Sequence, residues 1–353
     1  TLYVSANGKV RAWGNGILGQ LGYNGTADVG DTQATSIISM GDIAIGGSAI
    51  YAAAGSTHSC VVLSTGSVRC WGEGTNGRLG YNSTANIGDT VSSSILLAGD
   101  VPLGGNAVQV SCGFGFSCAL LDNGAVRCWG YGNSGRLGTN AGTDVGDTPA
   151  TSIINTGDIP IGGTVTQISA GLNHACALLA NGAVRCWGTG SNGQLGYNAT
   201  ANVGDSLATS IMTAGDVPVG GTVKQIAAGR LHTCALLTTG TLRCWGDNPS
   251  GQLGYNTTTA VGTSVGNSII LTGDVPVGDT VLQVAGGDFH TCALLSTGAV
   301  RCWGDNAIGQ LGYNNTANVG NAPANSIINA GDVPLGGRAI SITAGEGYTC
   351  ALL

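Results

Sequence analysis

The chain has 353 residues, of which 63 are Gly and only 9% are charged, and its formal net charge is −7. So acidic and sparse a charge pattern excludes the clustered Lys and Arg on which nucleic-acid or anionic-membrane binding depends. No apolar run reaches the roughly 18 residues of a membrane-spanning helix, and the length is ample for a large core.

In chain order, the first predicted element is a hairpin in which Leu2 faces Ala12. The chain opens on Thr1 with neither Met nor a signal peptide, which reads as a mature or excised segment. Trp13 is followed by Gly, and the pair returns at Trp71, Trp129, Trp187, Trp245 and Trp303, each 58 residues after the last. A fixed period of this size marks a solenoid, propeller or array.

Every period has the same contents. In one copy, "VTQISAGLNHACALL" (165–179) gives short apolar stretches and "AVRCW" (183–187) alternates with period two. "GQLG" (193–196), a polar loop, "SII" and a Gly-Asp-Pro turn follow. Gly and Pro at each junction fit tight turns between short strands, and no helical period competes. Four short antiparallel strands per repeat describe a β-propeller blade. The expected fold is therefore all-β, a β-propeller of six 58-residue repeats in one domain over 1–353 that begins and ends mid-blade.

The cysteines fit that frame. If Asp122-Asn123-Gly124 is a three-residue hairpin loop with Gly124 left-handed, Cys118 faces Cys128. The same arithmetic pairs Cys60 with Cys70, Cys176 with Cys186, Cys234 with Cys244 and Cys292 with Cys302. Disulfides, reduced buried thiols and a metal site all remain open. A structural zinc wants four converging ligands, however, and each repeat offers two Cys about a blade's width from the next pair. Disulfides would place the protein outside the cytosol.

The series A-G-x-x-H-x-C-A-L-L-x-x-G-x-V-R-C-W-G followed by G-[QR]-L-G resembles the repeat of the regulator of chromosome condensation family. That resemblance implies a β-propeller, usually of seven blades. In particular it is similar to the cysteine-containing versions in secreted or surface-exposed bacterial proteins. Two departures stand out: six Trp-Gly units rather than seven, and a Cys pair in each hairpin that the common family pattern lacks. Cys350 holds the phase of Cys292, so its partner would fall beyond Leu353. Either a longer native chain completes a seventh blade, or the C-terminal strand joins a neighbouring subunit as a homo-oligomer.

Candidate functional residues are few. His58, His174, His232 and His290 share one phase with Phe116 and Tyr348, which suggests packing. The Trp residues, one per repeat with no second aromatic beside them, read the same way. Arg11, Arg69, Arg127, Arg185, Arg243 and Arg301 recur with Asp42, Asp100, Asp158, Asp216, Asp274 and Asp332, as a structural pair would. The oxygens near Asp89 and Asp147 offer a weak calcium reading, because Thr263 and Asn321 replace Asp elsewhere. Cys112, at an Ala or Gly phase, reads as a buried small residue. Asn24, Asn82, Asn198, Asn256 and Asn314 each begin Asn-x-Thr, which is either turn chemistry or N-glycosylation. Tyr23, Tyr81, Tyr197, Tyr255 and Tyr313 precede them and offer a ring of candidate binding residues.

No catalytic constellation, cofactor site or metal site is expected. Glu is nearly absent, and the Asp residues follow the repeat rather than a site. The expected function is a non-enzymatic extracellular or cell-surface scaffold, for binding or structure, whose partner is a protein or glycan surface. The alternatives are an inhibitor of a secreted or periplasmic enzyme, and a multivalent glycan-binding or filament-forming surface protein. The inhibitor reading suffers because the loops look near-uniform and offer few distinct anchors. Nucleotide exchange with chromatin binding, the role of the family's namesake, is opposed by the acidic charge and the Cys pairs.

Overall fold

A computed structural model describes all residues, 1–353. Its unit is an antiparallel three-stranded sheet, as in Ala107–Cys112, Phe116–Leu121 and Val126–Gly130. The middle strand is buried along its whole length, because both of its faces are covered. Gly124, at φ +81°, turns the hairpin, and the register sets Cys118 opposite Cys128 and Ala119 opposite Arg127. This is the register that the hairpin arithmetic requires. At the chain start Leu2 likewise faces Ala12.

Two details differ from expectation. The sequence predicts four strands per repeat, but the sheet holds three. The fourth segment is reduced to one bridge, such as Gly72 to Ile87, because Gly72 at φ +108° ends the extended run. The sequence predicts no helix, yet each repeat carries one helical turn, as in Ile95–Ala98. Ser94 caps it by accepting from the Leu97 N–H, and Gly99 ends it at φ +74°. One turn is too short to show a helical period.

The chain divides into two compact units, 1–168 with 204–212 and 169–203 with 213–353. The strand Val165–Ala170 runs through the division. In the first unit the sheets Ala49–Ala54/His58–Leu63/Val68–Gly72 and 107–112/116–121/126–130 pack on each other. The second holds Val223–Ala228/His232–Leu237/Leu242–Gly246 and Val281–Gly286/His290–Leu295/Val300–Gly304. It also holds the two-stranded Ser341–Ala344/Thr349–Leu352. Cys350 lies on the last of these strands, a half-buried free thiol opposite Thr343.

What joins one sheet to the next explains why Trp-Gly and Gly-x-Leu-Gly recur together. Trp245 is fully buried, and its indole N–H donates to the Gln194 carbonyl of the preceding repeat at 2.9 Å. A Cβ on Gly196 would lie 2.7 Å from that indole nitrogen, so only Gly leaves the niche open. Gly22 with Trp71, Gly80 with Trp129 and Gly254 with Trp303 repeat the arrangement. Each repeat thus holds a socket that only its successor fills. Trp245→Ala should cost about 3–5 kcal/mol in a denaturant titration, from the lost burial and the cavity left behind. A cost below about 1 kcal/mol would contradict the socket reading.

A second link joins the first strands of neighbouring repeats. Gln109 bonds the next first strand through both ends of its amide, Nε2 to the Ile168 carbonyl and Oε1 from the Ile168 N–H, each at 2.9 Å. Gln225 does the same to Val284 and Gln283 to Ile342. A β-bulge just before each Gln swings it out of its own sheet.

Candidate functional site

The registers divide every sheet into two ends. Ala54 faces Ser59 and His58 faces Gly72, so the first-to-middle loop and the loop after the third strand share one end. The opposite end carries the hairpin turn. The hairpin turns keep their Gly and change only among small residues: Ser64-Thr65-Gly66, Asp122-Asn123-Gly124, Ala180-Asn181-Gly182, Thr238-Thr239-Gly240 and Ser296-Thr297-Gly298. At the other end the first-to-middle loop keeps its leading Gly and then changes: Ser56-Thr57, Phe114-Gly115, Leu172-Asn173, Arg230-Leu231, Asp288-Phe289 and Glu346-Gly347.

That leading Gly is held by packing. A Cβ on Gly55 would lie 2.5 Å from the His58 ring and 2.6 Å from the Gly113 carbonyl. His58, His174, His232 and His290 lie beneath these loops, all but inaccessible to solvent. Their Nε2 atoms meet the hydroxyls of Ser117, Thr233, Thr291 and Thr349 at 2.8–2.9 Å. Those hydroxyls already give their hydrogen to the carbonyls of Arg78, Gln194, Gln252 and Gln310. A hydroxyl has one hydrogen to give, so the imidazole is the donor at Nε2 and its Nδ1 is bare. Nδ1 has no partner in any of the four. Burial pushes their pKa down to about 3 for His58 and His232 and about 4 for His174 and His290. These histidines therefore act as neutral packing groups, in keeping with the Phe116 that shares their phase.

On this frame the variable end carries chemistry. In the first unit the Glu73 carboxylate takes Arg78 at 2.6 Å, Thr57 at 2.7 Å and Thr75 at 2.9 Å. Burial opposes its ionisation, but the two hydroxyls and Arg78 outweigh it and hold the carboxyl below its usual range. Arg136 stacks on Tyr131 at 4.5 Å from the ring centre, and Phe114 is 48% exposed beside this group of loops. In the second unit Arg230 bridges to Asp288 at 2.8 Å and lies over Phe289 at 5.4 Å. Exposed Tyr348 and Ile308 lie at this same end of their sheets. Arg78 and Arg136 are themselves buried, so what reaches solvent is Phe114, Tyr348 and Ile308 with half-buried Tyr131, Arg230 and Phe289. Aromatic side chains and Arg are enriched in protein-interface hot spots.

The residues favoured from the sequence have other duties. Tyr81 Oη accepts from the Cys70 N–H at 3.1 Å and faces the Cys70 and Gly99 carbonyls at 3.2 and 3.1 Å. Tyr23, Tyr197, Tyr255 and Tyr313 repeat this clamp. Burial raises the phenol to about 12 in Tyr81 and Tyr197. These five Tyr side chains, read from the sequence as candidate binding residues, are thus internal braces of their own repeats. Asn24, Asn82, Asn198, Asn256 and Asn314 all sit at φ near +58°, as does Asn140, which lacks the Thr. Left-handed backbone selects Asn without any glycan.

The Arg and Asp series forms six ion pairs at 2.6–2.8 Å, each Asp lying 31 residues after its Arg. The Asp89 and Asp147 carboxylates accept from Ser93 and Thr151 four residues on, which is turn chemistry. The five facing Cys pairs are disulfides, with Cα atoms 4.0–4.1 Å apart, and Cys112 is a buried free thiol. Arg78 and Arg136 are the Arg of the Gly-x-Leu-Gly motif, whereas nothing in the repeat pattern singles out Arg230, Phe114, Tyr131 or Phe289. For Phe114, Arg230 and Phe289 the signal lay in the loop after the first strand, compared copy by copy for difference instead of likeness, and for Tyr131 in the residue after Trp-Gly.

Three-stranded antiparallel sheets, each linked to the next by the Trp and Gln contacts, define a propeller-repeat scaffold. Residues 9–353 match the RCC1-like domain, and the chain belongs to that family. It is 34% identical over 265 residues to the ultraviolet-B receptor UVR8 of Arabidopsis thaliana, covering 74% of this chain and 54% of the receptor. It is 30% identical to a bovine secretion-regulating guanine nucleotide exchange factor, covering 85% of this chain and 60% of that protein. The chain thus spans little more than half the length of either. Among solved structures it is similar to Prp20p of Saccharomyces cerevisiae, at 22% identity and a TM-score of 0.72 over 99% of this chain and 79% of that one.

Proposed function

We propose that this chain is a protein-binding scaffold of an oxidising compartment, secreted or on a cell surface, whose partner docks on the variable-loop end of the sheets. One observation carries the reading. Over a frame in which Trp, Gly, Gln and His recur at fixed phase, the loops of one end change into Phe, Tyr, Arg and Leu, whereas the hairpin turns at the opposite end stay among small residues. Rigid strands that present variable loops are how repeat scaffolds gain specificity. A protein as the kind of partner is supported by Prp20p, which binds Gsp1p and histones. The compartment is supported by the five hairpin disulfides. Nothing in this reading requires catalysis by the chain.

Photo-crosslinking from both ends tests it. A photoreactive phenylalanine analogue at Phe114 or Phe289 should capture a discrete protein adduct from the native source. The same analogue at Asn123 or Thr239, in the hairpin turns, should capture none. Adducts arising equally from both ends, or only from the hairpins, would defeat the assignment.

A further inference from the structure

Cys112 stands at a phase otherwise held by Ala54, Ala170, Ala228, Gly286 and Ala344. Its thiol is buried in the first unit, and it is not alone there. His58, Cys60 and Cys112 place their ligand atoms within 4.8 Å of one another, and Cys60 is already bonded to Cys70. The Ser117 hydroxyl touches all three: His58 Nε2 at 2.8 Å, Cys60 Sγ at 3.9 Å and Cys112 Sγ at 3.9 Å. A structural metal ion would take Cys60 as a thiolate, and Cys60 is already oxidised to the disulfide. What the arrangement does offer is a thiol within reach of a disulfide.

We infer that Cys60, Cys70 and Cys112 form an exchangeable three-sulfur cluster, in which Cys112 displaces Cys70 and moves the disulfide from within one sheet to between two. The Cys112 thiolate attacks Cys60 Sγ, so the Cys112–Cys60 bond forms as the Cys60–Cys70 bond breaks. Cys70 leaves as the thiolate and takes up the proton that Cys112 gave up. One disulfide and one thiol remain, and no outside oxidant is consumed. The product ties the sheet of His58–Leu63 covalently to that of Ala107–Cys112, and it closes a far longer loop than the hairpin does. Exchange thus turns a local staple into a clamp between neighbouring repeats. No other repeat in this chain can make it.

The surroundings set the rate. Around Cys112 stand His58 and Cys60 from one strand, Cys70 from the next, the Ala53 carbonyl at 3.7 Å, Ser117, and Arg78 through its carbonyl on Ser117. Burial pushes the Cys112 thiol up to about 12, against the lowering hydrogen bonds, and His58 is neutral throughout the neutral and alkaline range. The thiolate is therefore scarce at neutral pH, and the exchange rate should rise roughly tenfold per pH unit.

Non-reducing peptide mapping tests this. The folded protein is held without oxidant at pH 7, 8 and 9, quenched in acid and alkylated with a maleimide. A Cys60–Cys112 link with alkylated Cys70 should accumulate roughly tenfold faster per pH unit, while Cys118–Cys128 and the other three pairs stay intact. Cys112→Ala, which installs the residue of the other repeats, should show no such link. In Cys70→Ser, oxidised glutathione should join Cys60 to Cys112, releasing two reduced glutathiones. Two results would each overturn the inference. One is Cys60–Cys70 alone at every pH, with both thiols of Cys70→Ser still alkylated after glutathione. The other is a Cys60–Cys112 link that appears only with general scrambling.

Discussion

Reducing the five hairpin disulfides should unfold this protein or lower its melting temperature by tens of degrees. Each bridge joins residues 10 apart in sequence. By the loop-entropy relation a closed loop of this size is worth up to about 3 kcal/mol, and typical native bridges give about 2–4 kcal/mol. A single bridge is therefore a modest term, and five sum to on the order of 10 kcal/mol, comparable to the whole stability of an ordinary domain. The bridges sit at the centre of each sheet, where every cysteine is almost fully buried. A phosphine reductant added at neutral pH, with melting followed by circular dichroism, measures the effect. A shift of only a few degrees with all ten thiols free would show that the sockets of Trp and Gly suffice alone. Single Cys-to-Ala pairs should each fall within the range of one bridge, with no hairpin dominating.

Mild acid should destabilise the fold well before the carboxylates titrate. The four buried histidines have folded pKa values of about 3 to 4 against an ordinary 6.5. Below 6.5 the unfolded chain takes up protons that the folded chain refuses, so stability is full above that pH and falls as the pH drops toward the folded values. At pH 5 the loss is about 2 kcal/mol per histidine and on the order of 8 kcal/mol for four acting independently. Glu73, whose carboxyl is held below 4.5, loses its contribution only at lower pH and does not blur this window. Urea titrations at pH 7.5 and 5 read the difference directly. His232→Phe, which copies the Phe116 of another repeat, should reduce the pH-dependent loss by about 2 kcal/mol. A stability independent of pH between 7.5 and 5 would mean that the imidazoles reach water or find a partner for Nδ1.

The repeat, the hairpin registers and the disulfide pairs were legible in the sequence because each follows from a local count. Gly124 fixes the turn, and the turn fixes what Cys118 faces. The helical turn at Ile95–Ala98 was illegible because four residues carry no period. Gly196 could be seen to recur but not explained, since its reason is Trp245 of the following repeat, brought onto it only by folding. Tyr81 looked available in a polar loop, and its clamp on Cys70 and Gly99 depends on backbone atoms 11 and 18 residues away. The proposed docking residues were illegible for a different reason. Phe114, Arg230 and Phe289 break the repeat, and a 58-residue period that brings out Tyr and Asn-x-Thr passes over them.

The proposed docking on the variable-loop end has a direct test. Hydrogen–deuterium exchange of the protein with its crosslinked partner, against the free protein, tests it over the whole surface at once. The account predicts new protection in the loops 55–57, 113–115, 229–231 or 287–289 and in 73–76 or 131–134, with the hairpin turns at 64–66, 122–124 and 238–240 unchanged. Protection confined to those turns, with the variable loops exchanging as in the free protein, would contradict it.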